Sequence, residues 1–220
     1  MAHKRRSKSV IPDRQTFCGF HEYTWQGLST FKHYKGNWYL GLRHGYGEME
    51  YSSGDNFKGN YNEDKIQGKG EYWWSDGDYY NGNWVNNKIE GHGNFHYTNG
   101  DVYIGNFKDS VFNGQGTLHY NEGHVYDGEW CKGFRDGYGK MVRVSGSTYI
   151  GNWKLDKRFG EGQLVCSNGD RHTGYWKGNC LNGLGELQQI NGDKYIGNFV
   201  KDKRDGFGKM YWANGYEYEG

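Results

Sequence analysis

The residues with the most obvious chemical use are paired glycines. Gly-x-Gly occurs at 45–47, 68–70, 91–93, 114–116, 137–139, 160–162, 183–185 and 206–208. Such a pair cradles phosphate when it runs into Lys-Ser/Thr at the head of a helix. No copy here is followed by that dipeptide, and eight phosphate loops in one chain make no chemical sense. Neither HExxH nor GxSxG occurs, so zinc hydrolysis and a serine nucleophile elbow have no footing. The nine histidines show no ligand spacing, and His44, His92 and His124 fall in turns or at outward positions. Cys18, Cys131, Cys166 and Cys180 form no CxxC pair. With no export signal they read as reduced thiols of a cytosolic compartment. The chain is therefore expected to be no enzyme, with no catalytic, metal or cofactor-binding set.

The glycine pairs belong to a longer regularity. An aromatic opens the pattern at Tyr34, Phe57, Tyr80, Tyr103, Tyr126, Tyr149, Tyr195 and Tyr218, and His172 fills the remaining place. Every interval is 23 residues, with no insertion. A strict period of this length marks a repeat architecture. Within a copy, Tyr80, Gly82 and Trp84 are two apart, as are Gly91, Gly93, Phe95 and Tyr97. Period two is the strand period and places each set on one face. Polar turn residues lie between the two sets, such as Asn86-Asn87, and a second turn such as Ser75-Asp76-Gly77 joins copies. Each copy is thus a β-hairpin, and successive hairpins form an antiparallel meander.

Composition explains how such a sheet could be held. There are 38 glycines and one proline, and aromatics make up 18% of residues against a hydrophobic total of 34%. The apolar surface is largely Tyr, Trp and Phe. A single-layer sheet has no second layer to cover its apolar face. Rings can lie flat on it where neighbours carry no side chain, and stacked along the ladder they cover one another. The expected fold is all-β: an elongated, single-layer antiparallel meander of 23-residue β-hairpins. At about 10 Å per hairpin, eight of them extend roughly 80 Å.

The chain divides accordingly. Residues 1–16 form a basic tail carrying Lys4, Arg5, Arg6, Lys8 and Arg14 against Asp13. Residues 17–33 (FCGFHEYTWQGLSTFKH) read as a degenerate first repeat that caps a sheet edge. Residues 34–220 hold eight full repeats and the start of a ninth. Formal net charge is +1, so the repeat body is slightly acidic once the tail is set aside. It has no basic field of the kind nucleic acid requires. No apolar run reaches 18 residues, and the N-terminus lacks the apolar stretch of a secretory signal.

The columns Tyr-x-Gly-x-Trp, Gly-x-Gly and Gly-x-x-Tyr at this period resemble the MORN repeat, over residues 34–220. Departures are His172 in place of Tyr, and Tyr61 where Trp or Phe is expected. The resemblance implies a hairpin meander with a groove. Proteins of this kind serve as radial spoke head components, cytoskeletal scaffolds, adaptors and accessory regions of lipid kinases. A stand-alone array is similar to the radial spoke head group. This implies a non-catalytic scaffold of a ciliary or flagellar axoneme, cytoplasmic and cytoskeletal. Its expected partners are other proteins of that large assembly, with a homodimer or a pairing with another MORN protein through edge strands. The alternatives are a peripheral phospholipid-binding module and the regulatory region of a larger enzyme.

Three surfaces are candidates for binding. An outer stripe comprises Ile104, Ile150 and Ile196 between the first two columns, with Tyr138, Leu184 and Phe207 inside Gly-x-Gly; it reads either as a docking stripe or as β-branched strand preference. An inner groove would be lined by Tyr80, Trp84, Tyr103, Phe107, Tyr126, Trp130, Tyr149, Trp153, Trp176 and Tyr195, unless those rings satisfy one another. The basic tail, Lys4, Arg5, Arg6 and Lys8, reads as a solvated segment, as a docking tail for an acidic partner, or as a nuclear-import or anionic-membrane contact. If rings hold the sheet, Trp84→Ala costs about 3–5 kcal/mol. Urea denaturation checks this, and a loss no larger than that of a surface substitution would sink the idea.

Overall fold

Small and large residues alternating at period two make strands, and a polar turn between the two sets folds them back. The computed structural model describes residues 17–27 and 29–220. No helix occurs among them. The chain forms two units, Met1–Asn99 with Phe107–Ser110, and Gly100–Asn106 with Val111–Gly220. The first holds β1 (Gly19–Thr24), β2 (Phe31–Tyr39), β3 (Leu42–Tyr51), β4 (Asn56–Asn62), β5 (Lys65–Trp73), β6 (Tyr79–Val85) and β7 (Lys88–His96). Strand β8 (Val102–Lys108) has residues in both units. The second holds β9 (Val111–His119), β10 (Val125–Cys131), β11 (Phe134–Val142), β12 (Thr148–Lys154), β13 (Lys157–Val165), β14 (Arg171–Lys177), β15 (Cys180–Gln188), β16 (Lys194–Val200), β17 (Lys203–Tyr211) and β18 (Glu217–Glu219).

Within each unit successive strands pair antiparallel, β1 to β7 in the first and β9 to β18 in the second. A seven-residue strand such as β6 is followed by a nine-residue one such as β7. Between them Asn86 and Asn87 take φ of 50° and 66°. Positive φ at both central residues is the two-residue turn whose twist matches a hairpin. The longer connection closes on Trp74, whose N–H donates to the Asp78 carbonyl while its own carbonyl accepts from Gly77, both at 3.0 Å.

The glycine columns do two different jobs. Gly36 and Gly47 face each other across β2 and β3. A Cβ on Gly47 would stand 2.2 Å from the Tyr34 hydroxyl oxygen, and one on Gly36 2.6 Å. The Tyr34 phenol therefore lies on bare backbone, and side chains at either position would collide with it. Gly45, the first of the same Gly-x-Gly, meets nothing nearer than the Asn37 side chain at 3.4 Å but has φ +72°. It sits in a bulge, where the β2–β3 register shifts between Gly36 and Trp38. The shift runs over two extra residues, so the inward set keeps its parity.

The rings meet differently from the stacking expected of them. Tyr126 has Trp130 of its own repeat at 5.1 Å and 88°, and Trp153 of the next at 5.5 Å and 86°. Tyr149 stands likewise between Trp153 and Trp176, and Tyr34 between Trp38 and Tyr61. Each phenol lies on glycine, and the neighbouring rings stand upright against it. Edge-to-face contact suits the ring quadrupole better than face-on stacking.

Residues 17–24 cover the free edge of β2. Strand β1 pairs along it from Gly19↔Trp38 to Thr24↔His33, and Phe17 meets Trp38 at 5.0 Å. The two glycine roles separate by substitution. Gly47→Ala costs about 3 kcal/mol or more, because the phenol is displaced, whereas Gly45→Ala costs only about 1–2 kcal/mol of backbone strain. Equal losses in urea midpoint for the two variants would refute the assignment.

Candidate functional site

Most of the inward tyrosines and tryptophans have their polar atoms already engaged. The Tyr34, Tyr80 and Tyr149 hydroxyls donate to the carbonyls of Asn37, Asn83 and Asn152, at 3.0–3.1 Å. The indole N–H of Trp84, Trp130, Trp153 and Trp176 donates to the carbonyl of Gly70, Gly116, Gly139 and Gly162 respectively, 14 residues back, at 2.9–3.2 Å. Burial raises the Tyr149 phenol to about 12, so it stays protonated and neutral at physiological pH. The ten rings expected to line a groove, from Tyr80 to Tyr195, are all buried, with at most 7% of their surface exposed. This corrects the open-groove reading: the rings satisfy one another and the backbone, and present little to a ligand.

A column that the sequence reading passed over closes this face. It runs Arg43, Ile66, Ile89, Phe112, Arg135, Arg158, Leu181 and Arg204, nine residues after each opening aromatic. Arg43 is 7% exposed. Its guanidinium lies 5.0 Å from the Tyr61 ring and 4.7 Å from Phe31. Arg135 covers Trp153 at 4.6 Å, and Arg158 covers Trp176 at 4.3 Å. Phe112 stacks on Tyr103 at 3.6 Å. Cation–π contact and apolar burial thus perform the same covering role in different repeats.

The same column is stapled to the next repeat. The Arg43 amide and Nε both donate to Asp64 Oδ1 at 2.9 Å, and the Asp64 amide donates back to the Arg43 carbonyl at 3.0 Å. Ile66–Asn87, Ile89–Ser110, Arg135–Asp156, Arg158–Asn179 and Leu181–Asp202 repeat the amide bond to the turn side chain. At the other end of each hairpin, Asp55, Asp78, Asp170 and Asp193 accept from the amides of Ser75, Thr98, Ile190 and Ala213. The available signal was the recurring Gly-Asp dipeptide and the Asp, Asn or Ser at the second turn position. Repeats are therefore joined through backbone ladders and through side chains at both ends.

The outer face is open. Ile104, Ile150 and Ile196 are each 38–39% exposed, and Tyr138, Leu184 and Phe207 more so, at 57–71%. Tyr138, Ile150, Tyr175 and Leu184 frame a concavity of about 810 Å³ over β11 to β15. Its floor is backbone at Gly151, Gly162 and Gly174. The structure thus gathers three of the stripe residues with Tyr175, which occupies a column that is asparagine in most repeats (Asn37, Asn60, Asn83, Asn106, Asn152, Asn198). The basic tail candidates Lys4, Arg5, Arg6 and Lys8 lie outside the described residues. All four cysteines are free.

The MORN repeat pattern matches residues 34–56, 57–79, 80–102, 103–125, 126–148, 149–171 and 195–215. The chain belongs to the MORN-repeat family. The interval 172–194 is unmatched, and there His172 stands in the tyrosine column; its hairpin nonetheless keeps the register of the other MORN repeats, with His172↔Leu187 and Gly174↔Gly185. A comparison with curated proteins returned no match. Among solved structures, the chain is similar to the TCP10 domain of CPAP from Danio rerio, in complex with a STIL peptide, at 11% identity and TM-score 0.49, over 92% of this chain and 93% of that one. It is also similar to the TCP domain of SAS-4 from Drosophila melanogaster, in complex with a proline-rich motif of Ana2, at 13% identity and TM-score 0.44, over 79% and 88%. Both likenesses are too distant to bear on function.

The array contains its own control for the arginine staple. The double substitution Arg43→Ile with Asp64→Asn reproduces the Ile66–Asn87 pair found one repeat on, and should leave stability within about 1 kcal/mol of the parent. Asp64→Ala alone strands a largely buried guanidinium and costs about 2 kcal/mol. Urea midpoints of the two variants check both values, and a larger loss for the double variant would overturn the assignment.

Proposed function

We propose that this MORN protein is a non-catalytic scaffold that docks other proteins on its outer face, in a ciliary or flagellar axoneme as a radial spoke head-type component. The observation that carries the docking reading is the division of polar and apolar groups between the two faces. Inward rings are buried and hydrogen-bonded. Outward Tyr138, Ile150, Tyr175 and Leu184 are exposed around a concavity. Clustered apolar exposure of this kind is a mark of protein–protein contact, and two of its members are aromatic, the residue type that anchors interfaces. The axonemal assignment is supported by the resemblance to stand-alone arrays. Partners are other proteins of that assembly, including a second MORN protein.

The test is to tag the protein in its native cell, locate it, and read co-purified proteins by mass spectrometry. Axonemal location with axonemal partners is expected. Location at plasma membrane or vesicles would overturn the axonemal reading. The variant Ile150→Lys with Ile196→Lys is expected to keep the melting profile and lose partner capture by about tenfold or more, the cost of one buried anchor. Undiminished capture would remove the outer face from the mechanism.

A further inference from the structure

The repeat columns supply a baseline against which local departures stand out, and four departures fall around one place on the inner face of the second unit. The column that closes the strand reads Tyr51, Trp74, Tyr97 and Tyr120, then Arg143 and Cys166. Two large rings are missing there, and a concavity of about 560 Å³ remains. The column that opens the next repeat reads Asp55, Asp78 and Asp101, then His124 and Ser147. The staple column is Asp64 below Arg43 and Asp156 below Arg135, but Asn179 below Arg158. Arginine is thus gained at one position while carboxylates are absent at two others, and Arg143, Ser147, Arg158 and Asn179 all line the same concavity.

The charge balance follows. Arg135 is compensated by Asp156, with Nε to Oδ1 at 2.9 Å. Arg158 donates to the Asn179 carbonyl and packs on Trp176, with no carboxylate bonded to it. Asp202, which accepts from the Leu181 amide at 2.7 Å, acts on it only through space. The Arg143 backbone closes the turn with Ser147 and Gly146, while its side chain makes no hydrogen bond or ion pair among the described residues. The lining, with Arg135, Arg143 and Arg158 against Asp156 alone, is thus net positive beside the hydroxyls of Ser145, Ser147 and Ser167. A phosphomonoester brings about −1.5 to −2 charges and three strong acceptor oxygens, and planar guanidinium groups bind it in a fork.

We propose that this concavity receives the phosphorylated side chain of a partner protein. The inference rests on the scaffold reading and adds a phosphorylation-dependent contact on the face opposite the docking stripe. The site is a recess that no lysine lines, with Ser145, Ser147, Ser167 and Asn179 set among its arginines. A polybasic lipid contact takes about four to eight Lys or Arg, against the three arginines here.

The probes are an acetyl-Gly-phosphoserine-Gly-amide peptide and its unphosphorylated twin, titrated calorimetrically into the full chain at low salt. Vesicles carrying phosphatidylinositol 4,5-bisphosphate form a separate arm. The phosphopeptide is expected to bind at least about tenfold more tightly than its twin, the scale of a charge-assisted pair. Arg143→Ala, which removes an unpartnered side chain, should weaken it about tenfold with an unchanged melting profile. Ser147→Asp with Asn179→Asp, which restores the carboxylates of the other repeats, should do the same. Arg171→Ala on the outer face should change nothing. Equal binding of the twin, indifference to Arg143→Ala, or capture by the vesicles alone would overturn the proposal. If the phosphopeptide fails while Ile150→Lys with Ile196→Lys still loses protein partners, this inference falls and the scaffold reading stands.

Discussion

A tyrosine phenol lying on two facing glycines is the contact on which the rest of this protein depends. It requires that Gly36 and Gly47 carry no side chain, which removes two of the groups a sheet would ordinarily use to bury itself. The ring replaces them. It covers backbone on both strands, returns its hydroxyl to the Asn37 carbonyl, and presents its flanks to upright rings of its own and the next repeat. A sheet built this way needs no second layer, because one aromatic column does the covering that another sheet or a helix would do elsewhere. The glycine cost in backbone entropy is offset by the area each ring buries.

That solution divides labour between the faces. Most inward polar atoms are satisfied internally, and Arg43 and Arg135 are tied to turns by Asp64 and Asp156. Two atoms mark the limit of the scheme: the indole nitrogen of Trp38 and the hydroxyl of Tyr61 are buried with no hydrogen-bond partner. In later repeats the indole bonds a glycine carbonyl 14 residues earlier, and 14 residues before Trp38 stands Thr24 in β1, outside the regular pattern. Outward positions bear no such obligation, and there side chains vary freely from Lys35 to Ile150. Repetition therefore leaves two kinds of place for specificity: the outer face, and inner columns where a single repeat departs from the rest.

Much of this was legible in the residues. The 23-residue interval, period-two alternation and turn pairs such as Asn86-Asn87 were sufficient for hairpins, their order and the face each column occupies, because these follow from backbone geometry over a few residues. The same local rules identified the exposed stripe at Ile150, Tyr138 and Leu184, and the glycine-for-ring exchange. Three dimensions were needed wherever an outcome depended on groups far apart in the chain. Gly45 and Gly47 look alike, yet one supplies a positive φ in a bulge and the other supplies space for Tyr34, and only the cross-strand register distinguishes them. Arg43 and Asp64 are 21 residues apart and meet because two adjacent hairpins lie side by side. Whether Tyr80 and Trp84 would line a groove or bury one another turned on ring orientation, which follows from packing and not from spacing. Arg143, Ser147, Arg158 and Asn179 carry no shared motif, and become one site because the sheet lays successive repeats beside each other.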